Sequence, residues 1–93
     1  MTNIETILII DDEVQIRRLL EITLSASGYK ISEASTGKEG LALAASVHPV
    51  LVILDLGLPD VQGIEILKKL REWYLKPIII LSVRNSEEDI INR

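Results

Sequence analysis

The sequence contains no cysteine, which excludes disulfide bonds and thiolate metal ligands and fits a reducing compartment. It also contains no apolar run near the roughly 18 residues that a membrane span requires. The N-terminal segment of residues 1–6 is short and polar, unlike a signal peptide or an anchor. We therefore expect a cytoplasmic protein that makes no membrane contact.

Basic residues are in the minority. Ten Lys and Arg residues against fourteen Asp and Glu residues give a formal net charge of −4. Binding to nucleic-acid phosphates depends on clustered Lys and Arg, and the single tight basic group here suits a solvated helix face better. That group is Lys68, Lys69 and Arg71. We expect no direct nucleic-acid contact by this segment.

Short apolar runs rich in β-branched residues predict strands covered on both faces, at residues 7–10, 50–54 and 78–81. The more polar segment 29–34 predicts a strand at the edge of a sheet. Together with the hydrophobic content of 47%, these runs indicate one compact domain in the 93 residues.

Three helices are predicted between the strands. The first covers residues 13–27, with Gly28 as its C-terminal cap and an apolar stripe of Ile16, Leu19, Leu20 and Leu24. The second covers residues 37–47. The third covers residues 62–73, with a core face of Ile64, Leu67 and Leu70. Ser86 and Asp89 resemble a capping box that opens a fourth helix.

Alternating strands and helices imply a parallel sheet with right-handed crossovers. The usual doubly wound sheet of this size has strand order 2-1-3-4-5 and binds ligands at the carboxyl ends of its strands, beside the point where the order reverses. Residues that follow the first and third strands are therefore the candidates for a functional site.

Four polar residues occupy these strand ends. Asp11 and Asp12 follow the first strand, Asp55 ends the third, and Ser82 ends the fourth. Taken singly, each has a structural explanation as a helix cap or a loop residue. Taken together, they predict a site, because three crowded carboxylates repel one another and a divalent cation offsets that repulsion. Mg²⁺ is the natural candidate, since it prefers oxygen ligands.

Three segments also carry a family resemblance. They are Ile-Ile-Asp-Asp-Glu at 9–13, Leu-Asp-Leu-Gly-Leu-Pro-Asp at 54–60 with Gly63 after it, and Leu-Ser at 81–82. With this spacing the chain resembles, over its whole length, the receiver domains of response regulators. The sequences of residues 54–60, 70–73 and 76–78 are further similar to those of Kdp-type regulators of potassium transport.

The resemblance implies a flavodoxin-like doubly wound sheet, with residues 1–93 forming one receiver domain. The strand order is then 2-1-3-4, and the fifth strand and last helix of the family are missing at the C-terminus. The family's Lys that bonds the phosphoryl group and its aromatic switch residue belong to this missing part. We expect residues 77–81 to form an exposed edge, and we expect self-association through the receiver or through this edge.

The resemblance also implies the roles of individual residues. Asp55 would accept a phosphoryl group from the phosphohistidine of a sensor histidine kinase. Asp12, Asp55 and the carbonyl of Gly57 would bind Mg²⁺, with Asp11 acting through a bound water. Ser82 would be the switch hydroxyl. The chain would then be a signalling phosphoacceptor and not an enzyme, with a transcriptional output controlled through the region of the fourth helix.

Two other functions occur in proteins of similar fold. Phosphatases of the haloacid dehalogenase type carry a second Asp two residues after the nucleophile, where this chain has Gly57. Nucleotide- and flavin-binding modules need a phosphate-binding loop, and neither G-x-x-x-x-G-K-S/T nor G-x-G-x-x-G occurs. The only histidine, His48, is expected in a solvated loop away from the acidic edge. A receiver that binds partners without being phosphorylated remains the alternative.

Overall fold

The computed structural model describes residues 4–81. Its strands are β1 (Thr6–Ile10), β2 (Lys30–Ala34), β3 (Leu51–Asp55) and β4 (Ile78–Leu81), and its helices are α1 (Val14–Ser25), α2 (Gly37–Val47) and α3 (Gly63–Arg71). All paired strands are parallel, in the order β2-β1-β3-β4. The predicted doubly wound sheet is confirmed, whereas the predicted fourth helix lies outside the described residues.

The two faces of the sheet build two apolar clusters, because successive side chains of a strand point to opposite faces. On one face, alternate residues of β1 and β3 pack with α2 and α3, and the buried members from the strands are Leu8, Ile10, Val52 and Leu54. On the other face, Ile7, Ile9 and Ile53 pack against residues that include Leu20 and Leu24 of α1. Within residues 4–81, no helix is long and apolar enough to cross a membrane.

The core face of α3 is as predicted at Leu70, which is buried, and at Leu67, which packs half-buried against the core, but differs at Ile64. Ile66 and Leu70 are fully buried, whereas Ile64 is 45% exposed. The inward stripe begins at Gly63, which is itself buried, and continues at Ile66 and Leu70. A glycine carries no hydrophobic signal, so the apolar pattern alone extends the predicted face to Ile64 and misses Gly63.

Helix α1 is shorter than predicted, and three of the four residues in its predicted apolar stripe are partly shielded from solvent. Leu19, predicted on its core stripe, is 61% exposed, while Ile16, Leu20 and Leu24 are half-buried. The predicted glycine cap is confirmed, because Gly28 has a φ of 96°, in the left-handed region that favours glycine.

Strand β4 pairs with β3 and forms one edge of the described sheet. Ile79 and Ile80 are exposed in the described part of the chain, which agrees with the exposed edge expected at residues 77–81 and contradicts, for residues 4–81, the expectation of a strand covered on both faces. The predicted self-association through this strand stays a prediction.

Tyr74 links the end of α3 to the start of β3. Its ring is buried, and its hydroxyl donates a hydrogen bond of 3.0 Å to the carbonyl oxygen of Pro49. Burial raises the pKa of this hydroxyl, with a small opposing effect from Arg71. The bond satisfies a carbonyl in a proline-containing loop, so it fixes where β3 begins.

We expect Tyr74→Phe to lower the free energy of unfolding by about 1–2 kcal/mol, because the carbonyl of Pro49 loses its buried donor. Urea denaturation measures this loss. Tyr29→Phe is the matched control, since within residues 4–81 the hydroxyl of half-buried Tyr29 makes no hydrogen bond. Equal stabilities of the two variants would contradict the role of the Tyr74 bond.

Candidate functional site

The strand register brings the acidic residues together. Leu54 pairs with Ile10, so the residues that follow them, Asp55 and Asp11, leave neighbouring strands at the same edge. Asp55 also pairs with Leu81 at the end of β4. This edge lies where the strand order reverses around β1, the usual ligand site of such sheets.

Asp11, Asp12 and Asp55 form a compact cluster, in which one carboxylate oxygen of each residue lies within 4.8 Å of the others. Asp11 is 4% exposed and Asp55 is 6% exposed, whereas Asp12 is exposed to solvent. Two buried carboxylates and one solvated carboxylate therefore face one another at the end of an apolar sheet, as predicted from the sequence.

Asp11 is held by hydrogen bonds on both its main chain and its side chain. Its N–H donates to the carbonyl of Ala34 at 3.0 Å, and its Oδ1 accepts from the N–H of Glu13 at 2.9 Å. Burial raises the pKa of Asp11, the bond from Glu13 opposes the rise, and the charges of Asp55, Asp12 and Glu13 add to it. Its ionised form is therefore unfavourable without a compensating positive charge.

The loop after Asp55 is folded tightly against the strand end. The N–H of Gly57 donates to Oδ1 of Asp55 at 3.2 Å, and the N–H of Gly63 donates to the carbonyl of Leu56 at 2.9 Å. A Cβ at Gly63 would lie 2.3 Å from Cα of Leu56 and 2.8 Å from the carbonyl oxygen of Asp55. The glycine eight residues after the central aspartate is thus required for α3 to start beside it.

Asp60, in the same loop, was missed by the sequence analysis. Its Oδ1 accepts from the N–H of Gly37 at 2.8 Å and its Oδ2 from the N–H of Lys38 at 3.1 Å. These N–H groups lie at the start of α2, where a carboxylate is favourable. The bond from Gly37 is the main reason that the pKa of Asp60 is lowered. The partners are more than twenty residues away, so no local pattern indicates the contact.

A cavity of about 170 Å³ opens beside the carboxylates. Asp11, Glu13 and Asp55 supply its polar wall, and the rest of its lining is apolar, formed by Ile16, Leu19, Leu20 and Leu81. The buried aspartates can be approached from this side. A wider groove of about 350 Å³ lies by the residues that precede β3 and β4, among them His48, which is exposed and remote from the acidic edge as predicted.

The residues of the cluster fit a divalent cation with oxygen ligands. All three side chains offer carboxylate oxygens, and a bound cation would offset both the burial that raises the pKa of Asp11 and the smaller effect of the neighbouring carboxylates. Gly57 follows Asp55 by two residues, and binding of the cation by its carbonyl stays a prediction. Ser82 lies outside the described residues and directly follows Leu81 in the chain.

Fold and site together define a doubly wound α/β domain with an acidic centre at its switch point. A family model described as response regulator receiver domain matches residues 7–93. The chain therefore belongs to the receiver domain family of two-component response regulators.

The relatives agree with the predicted Kdp-type resemblance. The chain is 48% identical over 91 residues to the KDP operon transcriptional regulatory protein KdpE of Escherichia coli strain K12, covering 98% of the chain and 39% of that protein. It is 51% identical over 83 residues to the transcriptional regulatory protein KdpE of Mycobacterium tuberculosis strain H37Rv, covering 89% and 37%. The chain thus spans about two fifths of the length of these relatives.

Solved structures agree on the fold. A CheY-like response regulator receiver domain protein from Methanospirillum hungatei JF-1 superposes with a TM-score of 0.83 at 30% identity, covering 96% of the chain and 72% of that structure. The chemotaxis protein CheY4 of Vibrio cholerae superposes with a TM-score of 0.82 at 29% identity, covering 96% and 77%. The flavodoxin-like prediction is confirmed.

In the presence of EDTA at pH 7, we expect Asp11→Asn to raise Tm, because the neutral amide avoids burial of an ionised carboxylate. The folded protein raises the pKa of Asp11, so the wild type loses stability as the pH rises from the ordinary value of 3.8 through the raised value. The variant lacks this loss, and thermal denaturation at several pH values measures the difference.

Asp60→Asn is the control with the opposite sign. The folded protein lowers the pKa of Asp60, so its ionised form adds stability that is present above pH 3.8 and lost as the pH falls through the lowered value. We expect Asp60→Asn to lower Tm at pH 7. An Asp11→Asn variant that melts below the wild type in EDTA would contradict the destabilising effect of the buried, ionised Asp11.

Proposed function

We propose that this chain is a phosphoacceptor, in which Asp55 takes a phosphoryl group from the phosphohistidine of a sensor histidine kinase. The observation that carries the proposal is the position of Asp55 at the end of a central strand, beside two further carboxylates and a cavity. A strand end is a rigid platform, and a carboxylate is the nucleophile of known aspartyl phosphates.

In the proposed transfer, a carboxylate oxygen of Asp55 attacks phosphorus. A new P–O bond forms as the P–N bond to the imidazole breaks, and the leaving nitrogen recovers a proton from water. The N–H of Gly57 restrains Asp55 through Oδ1 and so limits the orientations that the carboxylate adopts. The apolar walls of the cavity exclude part of the water that would otherwise compete for the site.

Asp11, Asp12, Asp55 and the carbonyl of Gly57 are the residues that would hold Mg²⁺. The bound ion would neutralise charge on the phosphoryl oxygens, where electrostatic stabilisation and positioning supply most of the catalysis. The cluster of three carboxylates supports this assignment, because a cation would stabilise the ionised form of Asp11, whose pKa is raised by burial and further by its acidic neighbours.

Ser82 is proposed as the hydroxyl that responds to modification of Asp55. Its support is its place in the sequence, immediately after Leu81, the residue that pairs with Asp55. A hydroxyl drawn toward a new phosphoryl oxygen would convert a local charge into a change of shape. The names of the relatives suggest transcription as the output, and a cytoplasmic location is part of the same proposal.

We expect acetyl phosphate with Mg²⁺ to give a slower-migrating species of the wild type on Phos-tag electrophoresis. Asp55→Asn should abolish this species, and EDTA should suppress it in the wild type. Glu65→Gln is the control, since Glu65 is an exposed acid of α3 that, within residues 4–81, forms an ion pair only with Lys68 on the same helix face. The Glu65→Gln variant should give the same Mg²⁺-dependent species as the wild type.

Two results would count against the proposal. A shift that persists in Asp55→Asn would place the modification elsewhere. A wild type that shows no shift with Mg²⁺ present would favour the receiver that binds partners without being phosphorylated.

A further inference from the structure

Arg17 of α1 reaches back to the turn that carries the acidic pair. Its Nη1 donates a hydrogen bond of 2.7 Å to the backbone carbonyl of Asp11, and its Nε donates one of 3.0 Å to Oε1 of Glu33 on β2. The side chain of Arg17 is 16% exposed, so these bonds are partly shielded from water. One guanidinium therefore joins the end of β1, α1 and β2.

The carbonyl that Arg17 binds belongs to the peptide bond between Asp11 and Asp12. On the other side of Asp11, its N–H donates to the carbonyl of Ala34. Both main-chain groups of Asp11 are thus held, and the orientation of the next residue, Asp12, depends on the peptide plane that Arg17 fixes. A charge-assisted bond to a carbonyl is stronger than a neutral one, which suits it to this role.

We propose that Arg17 is a positioning residue of the phosphoacceptor site, which holds the turn of Asp11 and Asp12 in the geometry that binds the divalent cation. The inference rests on the function proposed above. Glu33 orients the guanidinium through Nε, while Nη1 contacts the turn, a division that the planar fork of arginine allows and the single ammonium of lysine does not.

Geometry and charge predict opposite effects at this position. Arg17 brings a positive charge close to a site that binds a cation, so removing it would strengthen Mg²⁺ binding if charge alone mattered. If Arg17 acts by positioning, its removal weakens Mg²⁺ binding. Arg17→Lys further distinguishes the effect of charge from the effect of positioning, because it keeps the charge and loses the paired contacts to Asp11 and Glu33.

The experiment measures Mg²⁺ binding to the full chain by isothermal titration calorimetry for the wild type, Arg17→Lys and Arg17→Gln. Arg18→Lys and Arg18→Gln are matched controls, since Arg18 is the exposed neighbour on α1 and makes no hydrogen bond or ion pair in residues 4–81. We expect both Arg17 variants to bind Mg²⁺ about tenfold more weakly, as found when groups that orient metal ligands are removed. The Arg18 variants should stay near the wild type.

A second measurement follows labelling of Asp55 by acetyl phosphate as Mg²⁺ is increased. Positioning of the cation ligands predicts that the Arg17 variants need more Mg²⁺ for half-maximal rate and approach the wild-type rate at saturation. Circular dichroism establishes that each variant is folded. If Arg17→Gln does not fold, Arg17→Lys decides the question by the same measurements.

The inference is overturned if Arg17→Lys binds Mg²⁺ as tightly as Arg18→Lys, or if Arg17→Gln binds it more tightly than the wild type. Failure of the proposed function looks different. In that case the wild type itself shows no Mg²⁺ binding that depends on Asp12 and Asp55, and the inference about Arg17 falls with it.

Discussion

Burial of the Asp11 and Asp55 carboxylates, beside a third carboxylate from Asp12, is the constraint around which this domain is arranged. Two of the three carboxylates are almost fully buried at the end of an apolar sheet, where an ionised group loses much of its hydration. A flexible chain would separate them. Here the parallel register of β1 and β3 holds the aspartates together, and the hydrophobic packing on both faces of the sheet supplies the free energy that offsets the cost of burying them.

The position of the cluster could be predicted because it follows from the strands alone. Apolar runs identify β1 and β3, alternation with helices makes them parallel, and parallel neighbours bring their carboxyl ends to one edge. The usual strand order of doubly wound sheets makes β1 and β3 neighbours, which places Asp11 beside Asp55. Helix faces were predicted less well, because burial of a helical residue depends on where the helix starts, and α3 starts at Gly63, an inward position without a side chain.

The contacts that stiffen the site could not be predicted for a different reason. Asp60 binds the start of α2 across more than twenty residues, and Arg17 binds Glu33 across sixteen. Side-chain hydrogen bonds between elements depend on distances of a few tenths of an ångström, which periodicity and motif spacing do not encode. The short-range bond from Gly57 to Asp55 is different, since an aspartate followed two residues later by glycine favours such a turn.

These contacts lie on both sides of the acidic centre. Asp60 ties the loop after Asp55 to α2, while Arg17 ties the turn of Asp11 and Asp12 to β2 through Glu33. The two halves of the centre are therefore anchored to different elements, and each anchor is a charged group bonded to main-chain atoms. A cation that binds between the halves meets ligands whose backbones are already ordered, so less of its binding free energy is used to organise the site.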